Sequence, residues 1–350
     1  SRGMGGILAD DMGLGKTLQT LAVIQAIGGK ALVVCPSSLV FNWIAEAEKF
    51  VPDLKAVAID GPDRAEKLAE HGDDADVLVT SYALLRLDAE TWHAREFDVV
   101  ILDEAQQIKN PDAQVSKAAH RLNGRHRFAL TGTPIENSVR DLWSILQFAM
   151  PGYLGARKEF AERFEKPLAK GGAPELQKRL SRRLRPVILR RLKQEVATDL
   201  PEKIEQVVYC ELNPKQRGVY DQILRESRET IFDAEGGRKR MLALTALLRL
   251  RQACCDLRLL GLPDVDPDHA SIKMDALEEM LSEALEGGHR VLVFSQFVQM
   301  LQVLVPMLAE RGLKSCYLDG RTKNRGDVVN RFQENDDIPV FLISLKAGGV

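Results

Sequence analysis

Two short stretches carry residues whose types and spacing suit chemistry on a phosphate chain. The first is ILADDMGLGKT at 7–17, which reads as a strand end, a tight turn and a helix start. Gly13 and Gly15 let backbone N–H groups approach an anion at the N-terminus of the following helix. Lys16 can then reach the β- and γ-phosphates of a nucleotide, and the Thr17 hydroxyl can ligate Mg²⁺. The general form of such a loop has four residues between a first glycine and the Gly-Lys pair. Here the first-glycine position is Asp10, a departure from that form.

The second stretch is DVVILDEAQ at 98–106. An apolar strand ending in Asp103 and Glu104 puts two carboxylates at the C-terminal edge of a parallel sheet, where open α/β folds bind ligands. Asp103 suits Mg²⁺, which keeps several waters and takes one or two carboxylates. Glu104 can orient or deprotonate an attacking water. Taken singly, each stretch has a bland explanation: a glycine turn with a solvated lysine, or two acids opening an exposed helix. Occurring together, they point to a nucleoside triphosphatase.

Such residues need strands and helices to hold them. Apolar runs ALVVC at 31–35, AVAI at 56–59, DVLVT at 76–80, DVVILD at 98–103 and RFALTG at 127–132 alternate with amphipathic stretches such as 17–27 and 112–122. That alternation predicts a parallel α/β sheet. From about 151 the texture becomes rich in Arg, Lys and Leu and reads as helical. A second α/β pattern follows, with RVLVFS at 290–295, KSCYLDG at 314–320 and PVFLIS at 339–344. With 350 residues the chain has room for about two domains. Its 45% apolar and 28% charged residues exclude a disordered chain, a collagen and a coiled-coil rod. Lys+Arg 48 against Asp+Glu 50 gives no overall basic field, although a local cleft can still bind phosphates. The five cysteines form no CxxC pair and read as reduced, apolar side chains. No apolar run approaches the roughly 20 residues a membrane span needs, and the opening SRGMGGILAD lacks a signal peptide's basic start and apolar stretch. A cytoplasmic location is expected, with nucleoid association if the source is bacterial.

ILADDMGLGKTLQT, VVCPSSLVFNW, VTSYALL, ILDEAQQIKN and LTGTPIEN follow one another at 7–20, 33–43, 79–85, 101–110 and 130–137. VILRRLKQEVATDLPEK at 187–203, VLVFSQF at 291–297, YLDGRT at 317–322 and LISLKAGGV at 342–350 continue the series. This ordered set resembles the Swi/Snf family of ATP-dependent DNA translocases, within helicase superfamily two. Asp10 is the residue that family usually carries, and DEAQ resembles its bacterial branch.

The resemblance implies an α/β fold of two RecA-like parallel-sheet lobes with a helical insertion between them. Lobe 1 would take 1–150, a helical extension and linker 151–203, and lobe 2 204–350, with a helical insert at about 213–262. It implies ATP and Mg²⁺ as cofactors. Asp11, Met12, Gly13, Leu14, Gly15, Lys16, Thr17 and Gln19 would hold the nucleotide, with Mg²⁺ on Thr17 and Asp103. Lys16, Asp103, Glu104 and Gln106 would carry hydrolysis, and Thr131, Gly132 and Thr133 would couple it to lobe motion. Pro36, Ser37, Ser38, Thr80 and Ser81 would touch the DNA backbone from lobe 1, and Ser295, Gln296, Ser344, Lys346 and Gly348 from lobe 2. Hydroxyls and backbone N–H groups suit contacts that position a phosphate chain without reading bases. For each Ser or Thr, a cap or turn role fits as well.

The implied partner is double-stranded DNA, traversed without strand separation by cyclic closure of the lobes on ATP, by a monomer. A DNA-bound protein such as RNA polymerase or a repair factor would be the object displaced. The chain opens at the phosphate loop and stops inside a motif that would continue as GGVG. The expectation is therefore a fragment, lacking the last motif's arginine fingers and turning over slowly by itself. Eight basic residues and no acid lie between Lys178 and Lys193; within them the Arg190-Arg191 pair resembles a latch between lobes. Trp43, Trp92 and Trp143 read as core. The rival readings are a superfamily two RNA helicase, an ATP-binding interaction module without turnover and a small-molecule kinase. The LTGTP segment and the second lobe argue against the kinase.

Overall fold

Runs such as ALVVC and VVIL offer no polar position to turn toward water, so they are stable as strands only where both sheet faces are covered. A computed structural model describes residues 5–132, 139–169, 174–196, 198–199 and 204–347. The chain divides into two units, Ser1–Lys203 and Ile204–Val350.

Unit 1 is built on β1 (Gly6–Leu8), β2 (Ala31–Cys35), β3 (Ala56–Ala58), β4 (Val77–Ser81), β5 (Glu96–Leu102), β6 (Asn123–Leu130) and β7 (Ile188–Leu189). They form one sheet in the order β3-β4-β2-β5-β6-β1-β7, and every pairing is parallel. All five positions of β2 and of β4 are buried. Because side chains alternate, Val33, Val79 and Ile101 enter one cluster with Leu21, Ile24 and Trp43. Leu32, Val34, Val100 and Leu102 enter the other with Trp92 and Phe148. Each such aliphatic side chain contributes about 1.5–3 kcal/mol by burial. Two helices matter for the site, α1 (Lys16–Ile27) and α2 (Val40–Phe50), and both pack on the Val33 face. Parallel strands bring the C-terminal ends of β1, β2, β5 and β6 to one sheet edge, the usual place for a ligand in an open α/β sheet.

The stretch 151–203 is not wholly helical. It supplies β7, which pairs with β1 at the sheet edge. Two residues are too few to show an alternation in sequence, and the edge position leaves Leu189 half exposed.

Unit 2 contains β8 (Val291–Ser295), β9 (Ser315–Leu318) and β10 (Val340–Ser344), parallel in the order β8-β10-β9. Two long helices, Pro214–Phe232 and Gly236–Cys255, precede them. The first starts cleanly because Asn213 accepts from the Gln216 backbone N–H at 2.8 Å and proline takes the first position. Gln216 is fully buried; its amide donates to the Ala253 carbonyl and accepts from the Ile272 N–H, joining three helices. The five thiols are free. Among the described residues no helix is long and apolar enough to cross a membrane.

Candidate active site

Between β1 and α1 the backbone turns through left-handed conformations at Gly13 (φ 85°) and Gly15 (φ 71°), which a side chain would oppose. Gly15 caps α1 without any side-chain hydrogen bond, and the first turn holds no acid. The positive end of a twelve-residue helix is therefore left for an anion. Lys16 bends back over the loop, donating to the Asp10 carbonyl at 2.8 Å and the Asp11 carbonyl at 3.3 Å. Gln19 ties the same loop through the Leu14 carbonyl at 2.8 Å. A cavity of about 450 Å³ lies between α1 and the β1–β7 edge, lined in part by Ile7, Val23 and Val187; neither Lys16 nor Asp103 lines it.

Asp10 has a structural reason to replace glycine. Its fully buried carboxylate accepts from the Arg191 backbone N–H at 2.9 Å and from Arg191 Nε at 3.1 Å, with Nη2 closing the fork. Arg191 Nη2 also donates to the Gln19 amide oxygen. Two residues on, the Lys193 N–H donates to Asp11 Oδ2 at 3.0 Å. The segment leaving β7 thus clamps the phosphate loop at two successive aspartates. The expected latch between lobes is, for Arg191, a latch inside unit 1. Asp10 lies just past β1, where the backbone pairing with the β7 segment runs on, the Asp11 N–H donating to the Arg191 carbonyl at 3.1 Å.

Burial alone would raise the Asp10 carboxyl, but the Arg191 side chain and backbone outweigh it and hold the group below the ordinary carboxylate range. Hydrogen bonds to a charged group contribute about 1.5–3 kcal/mol. Asp10→Ala should therefore lower the melting temperature by about 4 °C or more. A depressed carboxylate stabilises fully above its unfolded value, near pH 4, and ceases to do so as pH falls through the folded value. The melting difference between wild type and Asp10→Ala should accordingly be full at pH 7 and shrink on acidification toward pH 2. A difference that persists unchanged at low pH would mean that the ion pair is not its source.

At the end of β5, Asp103 is 7% exposed. Its Oδ1 accepts from the Glu104 N–H at 2.9 Å and its Oδ2 from Trp43 Nε1 at 2.9 Å. The Tyr82 hydroxyl donates to its main-chain carbonyl at 2.8 Å. Burial raises the Asp103 carboxyl above its ordinary range and the neighbouring Glu104 charge adds to this, while Trp43, the Glu104 N–H and Lys16 work in the other direction. Burial and the same Asp103 charge push the Tyr82 hydroxyl well up, so it remains a donor.

Glu104 stands in the left-handed region, φ 49° and ψ 54°, without being glycine. Such strain costs about 1–3 kcal/mol and persists where surrounding structure enforces it. The enforcing contacts are a chain: Thr131 Oγ1 donates to the Gln106 amide oxygen at 2.9 Å, and Gln106 Nε2 donates to Glu104 Oε2 at 2.8 Å. Gly132 lies against Met12 of the phosphate loop; a Cβ there would meet Met12 at 3.6 Å. The structure thus joins Glu104, Gln106 and Thr131, and sets Gly132 beside the loop. Thr133 lies outside the described residues. The donor set for a divalent cation is the Thr17 hydroxyl and the Asp103 carboxylate. These are hard oxygens, and among the described residues each Asp103 oxygen accepts one hydrogen bond, a set that would suit a mostly hydrated Mg²⁺.

The residues proposed to touch DNA divide by exposure. Ser37 and Ser38 are exposed and Pro36 half-buried, in a short turn just past β2. Thr80 is different: it is fully buried, with its hydroxyl donating to the Ile59 carbonyl at 3.0 Å. Ser81 is buried too and caps the helix Tyr82–Leu87 by accepting from the Leu84 N–H. Both sit at the end of a central strand covered on two faces, so their hydroxyls do not present to a surface ligand. In unit 2, Gln296 and Lys346 are exposed, and Arg251 donates to the Gln296 amide oxygen. Ser295 spends its hydroxyl on Phe297, accepting from the N–H and donating to the carbonyl. Ser344 is buried as the last residue of the middle strand. Gly348 lies outside the described residues.

All three tryptophans are buried, but the sequence reading missed that Trp43 also reaches Asp103 and that Tyr82 holds the Asp103 main chain. Both residues stand inside quoted motifs, VVCPSSLVFNW and VTSYALL; their spacing alone gives no sign of an Asp103 partner.

A model of the SNF2-related domain matches residues 1–259, and one of the helicase conserved C-terminal domain matches 272–350. An uncharacterised ATP-dependent helicase of Mycoplasma pneumoniae is 35% identical over 361 residues, spanning 99% of this chain and 34% of that protein. The human SWI/SNF-related matrix-associated actin-dependent regulator of chromatin subfamily A member 1 is 33% identical over 370 residues, 99% of this chain and 35% of that protein. The chain spans about a third of the length of these curated relatives. Among solved structures, the Sulfolobus solfataricus SWI2/SNF2 ATPase core in complex with dsDNA is similar at a TM-score of 0.55 and 37% identity, covering 98% of this chain and 74% of that one. With its phosphate loop, its strand-end carboxylates and a family match over residues 1–259, this chain belongs to the SNF2-related domain family.

Proposed function

We propose that the chain is the motor core of an ATP-hydrolysing translocase that moves along double-stranded DNA without separating its strands and remodels protein–DNA complexes. The observation that carries the hydrolytic part is the chain Thr131–Gln106–Glu104 beside Asp103, which holds one carboxylate ready to accept a proton from water. The loop N–H groups of 13–17 receive the phosphates, and Lys16 exchanges its two loop carbonyls for phosphate oxygens. Mg²⁺, bound by Thr17 and Asp103, would supply charge neutralisation on those oxygens. Thr131 and Gln106 carry changes at the nucleotide toward the segment that follows β6. Support for duplex DNA as the track comes from the similar archaeal core, whose structure is a complex with dsDNA. In unit 1, the exposure of Ser37 and Ser38 favours these two side chains as the ones that would meet a DNA backbone.

The deciding measurement is Mg-ATP turnover by the natural full-length protein with no nucleic acid, duplex DNA, single-stranded DNA and RNA, with Lys16→Ala as the blank. Duplex stimulation that disappears in Lys16→Ala is expected. Movement without unwinding should displace a third strand from a triplex while leaving the duplex paired. Stimulation by RNA alone would transfer the assignment to an RNA helicase, and silence in every condition to a nucleotide-binding interaction module.

A further inference from the structure

Asp103 has two side-chain oxygens, and among the described residues each accepts from a single donor. One is a backbone N–H from the adjacent residue, which any amino acid at 104 except proline would supply. The other is the indole N–H of Trp43, sixty residues away in sequence and carried by α2. A carboxylate offers about four lone-pair sites. Two donors therefore fix the group in its plane and leave a lone pair on each oxygen for a cation or its waters. Trp43 is itself packed in the core: 1% exposed, it shares a buried cluster with Leu21 and Ile24 of α1, the helix that begins with Lys16 and Thr17. The same packing thus connects the helix bearing the phosphate-binding lysine to the side chain that holds Asp103.

The hydrogen bond is not simply what a buried indole must find. Trp92 is as deeply buried, at 1% exposure, yet its Nε1 has no partner among the described residues. The two equally buried indoles thus differ in that only Trp43 donates to a carboxylate, which makes Trp92 the internal comparison.

We infer that Trp43 is a positioning residue for the metal-binding carboxylate, its N–H holding Asp103 in the one rotamer that presents it to Mg²⁺. The inference rests on the ATP-hydrolysis reading of the site. Groups that orient a metal ligand from outside the coordination sphere change metal affinity or activity by about 10–100-fold when removed.

The test is the affinity of the 350-residue chain for a fluorescent ADP analogue, measured with Mg²⁺ and with EDTA, in wild type, Trp43→Phe and Trp92→Phe. Both variants remove an indole from a core and leave a phenyl ring, but only Trp43→Phe removes a donor from Asp103. In Trp43→Phe the tightening of binding by Mg²⁺ should fall by about tenfold or more, with affinity in EDTA unchanged. Trp92→Phe should keep the wild-type ratio. An unaltered ratio in folded Trp43→Phe would overturn the positioning role while leaving the nucleotide site intact. Absence of nucleotide binding by wild type would instead remove the ATPase reading, and this inference with it. Should Trp43→Phe fail to fold, the indole N–H resonances of the ¹⁵N-labelled chain decide the matter. With the Trp92 and Trp143 signals assigned by Trp92→Phe and Trp143→Phe, the remaining Trp43 signal should move when Mg²⁺ is added to the ADP complex. A stationary signal would overturn the inference.

Discussion

Glu104→Gln should retain nucleotide binding and lose about 10²- to 10⁴-fold in turnover, the usual range for removing a positioned general base. Glutamine has nearly the same shape, and its amide oxygen can still accept from Gln106 Nε2, which now lies 2.8 Å from the Glu104 carboxylate. The left-handed backbone at 104 is a property of the turn after β5 and of the Thr131–Gln106 chain, so it should survive the exchange. What disappears is the capacity to take a proton from water. Burst and steady-state measurements of phosphate release, alongside nucleotide affinity, separate that loss from a binding defect. Turnover within about threefold of wild type, far inside the range for a general base, would mean that another group accepts the proton. The strained Glu104 would then be an orienting feature only.

Lys16→Ala should lose about 10²- to 10³-fold in turnover, as expected when a charge aimed at the developing negative charge of the transition state is removed, and should bind nucleotide markedly more weakly. The Lys16 ammonium rests on the Asp10 and Asp11 carbonyls. Those carbonyls belong to the loop itself, so the loop's shape does not depend on the lysine. That shape is set by Gly13 and Gly15 at positive φ and by the Arg191 and Lys193 contacts to the two aspartates. Stability should accordingly change by no more than about 0.5 kcal/mol, typical of a substitution at a partly exposed side chain. Calorimetric unfolding of the variant, together with titration of ATP, checks both halves. A variant that unfolds early would show that the lysine braces the loop. One that keeps both affinity and turnover would show that phosphates bind elsewhere.

Both variants act on residues that were legible without a structure, because a phosphate loop and a strand-end acid pair are local motifs. Gly13, Gly15 and Lys16 must lie within a few residues of one another for a turn to hand an anion to a helix, and Asp103 must follow an apolar run to stand at a sheet edge. The apolar runs at β2 and at the VVIL end of β5 are legible for a similar reason: every position there is buried and apolar, so composition alone exposes the strand. The buried serine and threonine at the ends of β4 and β10 were not legible. A hydroxyl at a strand end looks the same in sequence whether it faces solvent or a neighbouring carbonyl, and only the sheet's neighbours decide which.

The sequence by itself determined the chemistry available to this protein: a loop for phosphates, two acids, and the parallel α/β framework that brings them to one edge. Only the tertiary structure decided who holds them. Asp10 meets Arg191 because β7 joins the sheet beside β1, a pairing across 181 residues. Trp43 reaches Asp103 because β2 lies between β4 and β5, so that the helix following β2 comes down over the end of β5. Strand order is set by which apolar faces can be covered together, a property of the whole packed sheet. No local spacing encodes it, and so the partners of the catalytic groups became visible only once the chain was folded.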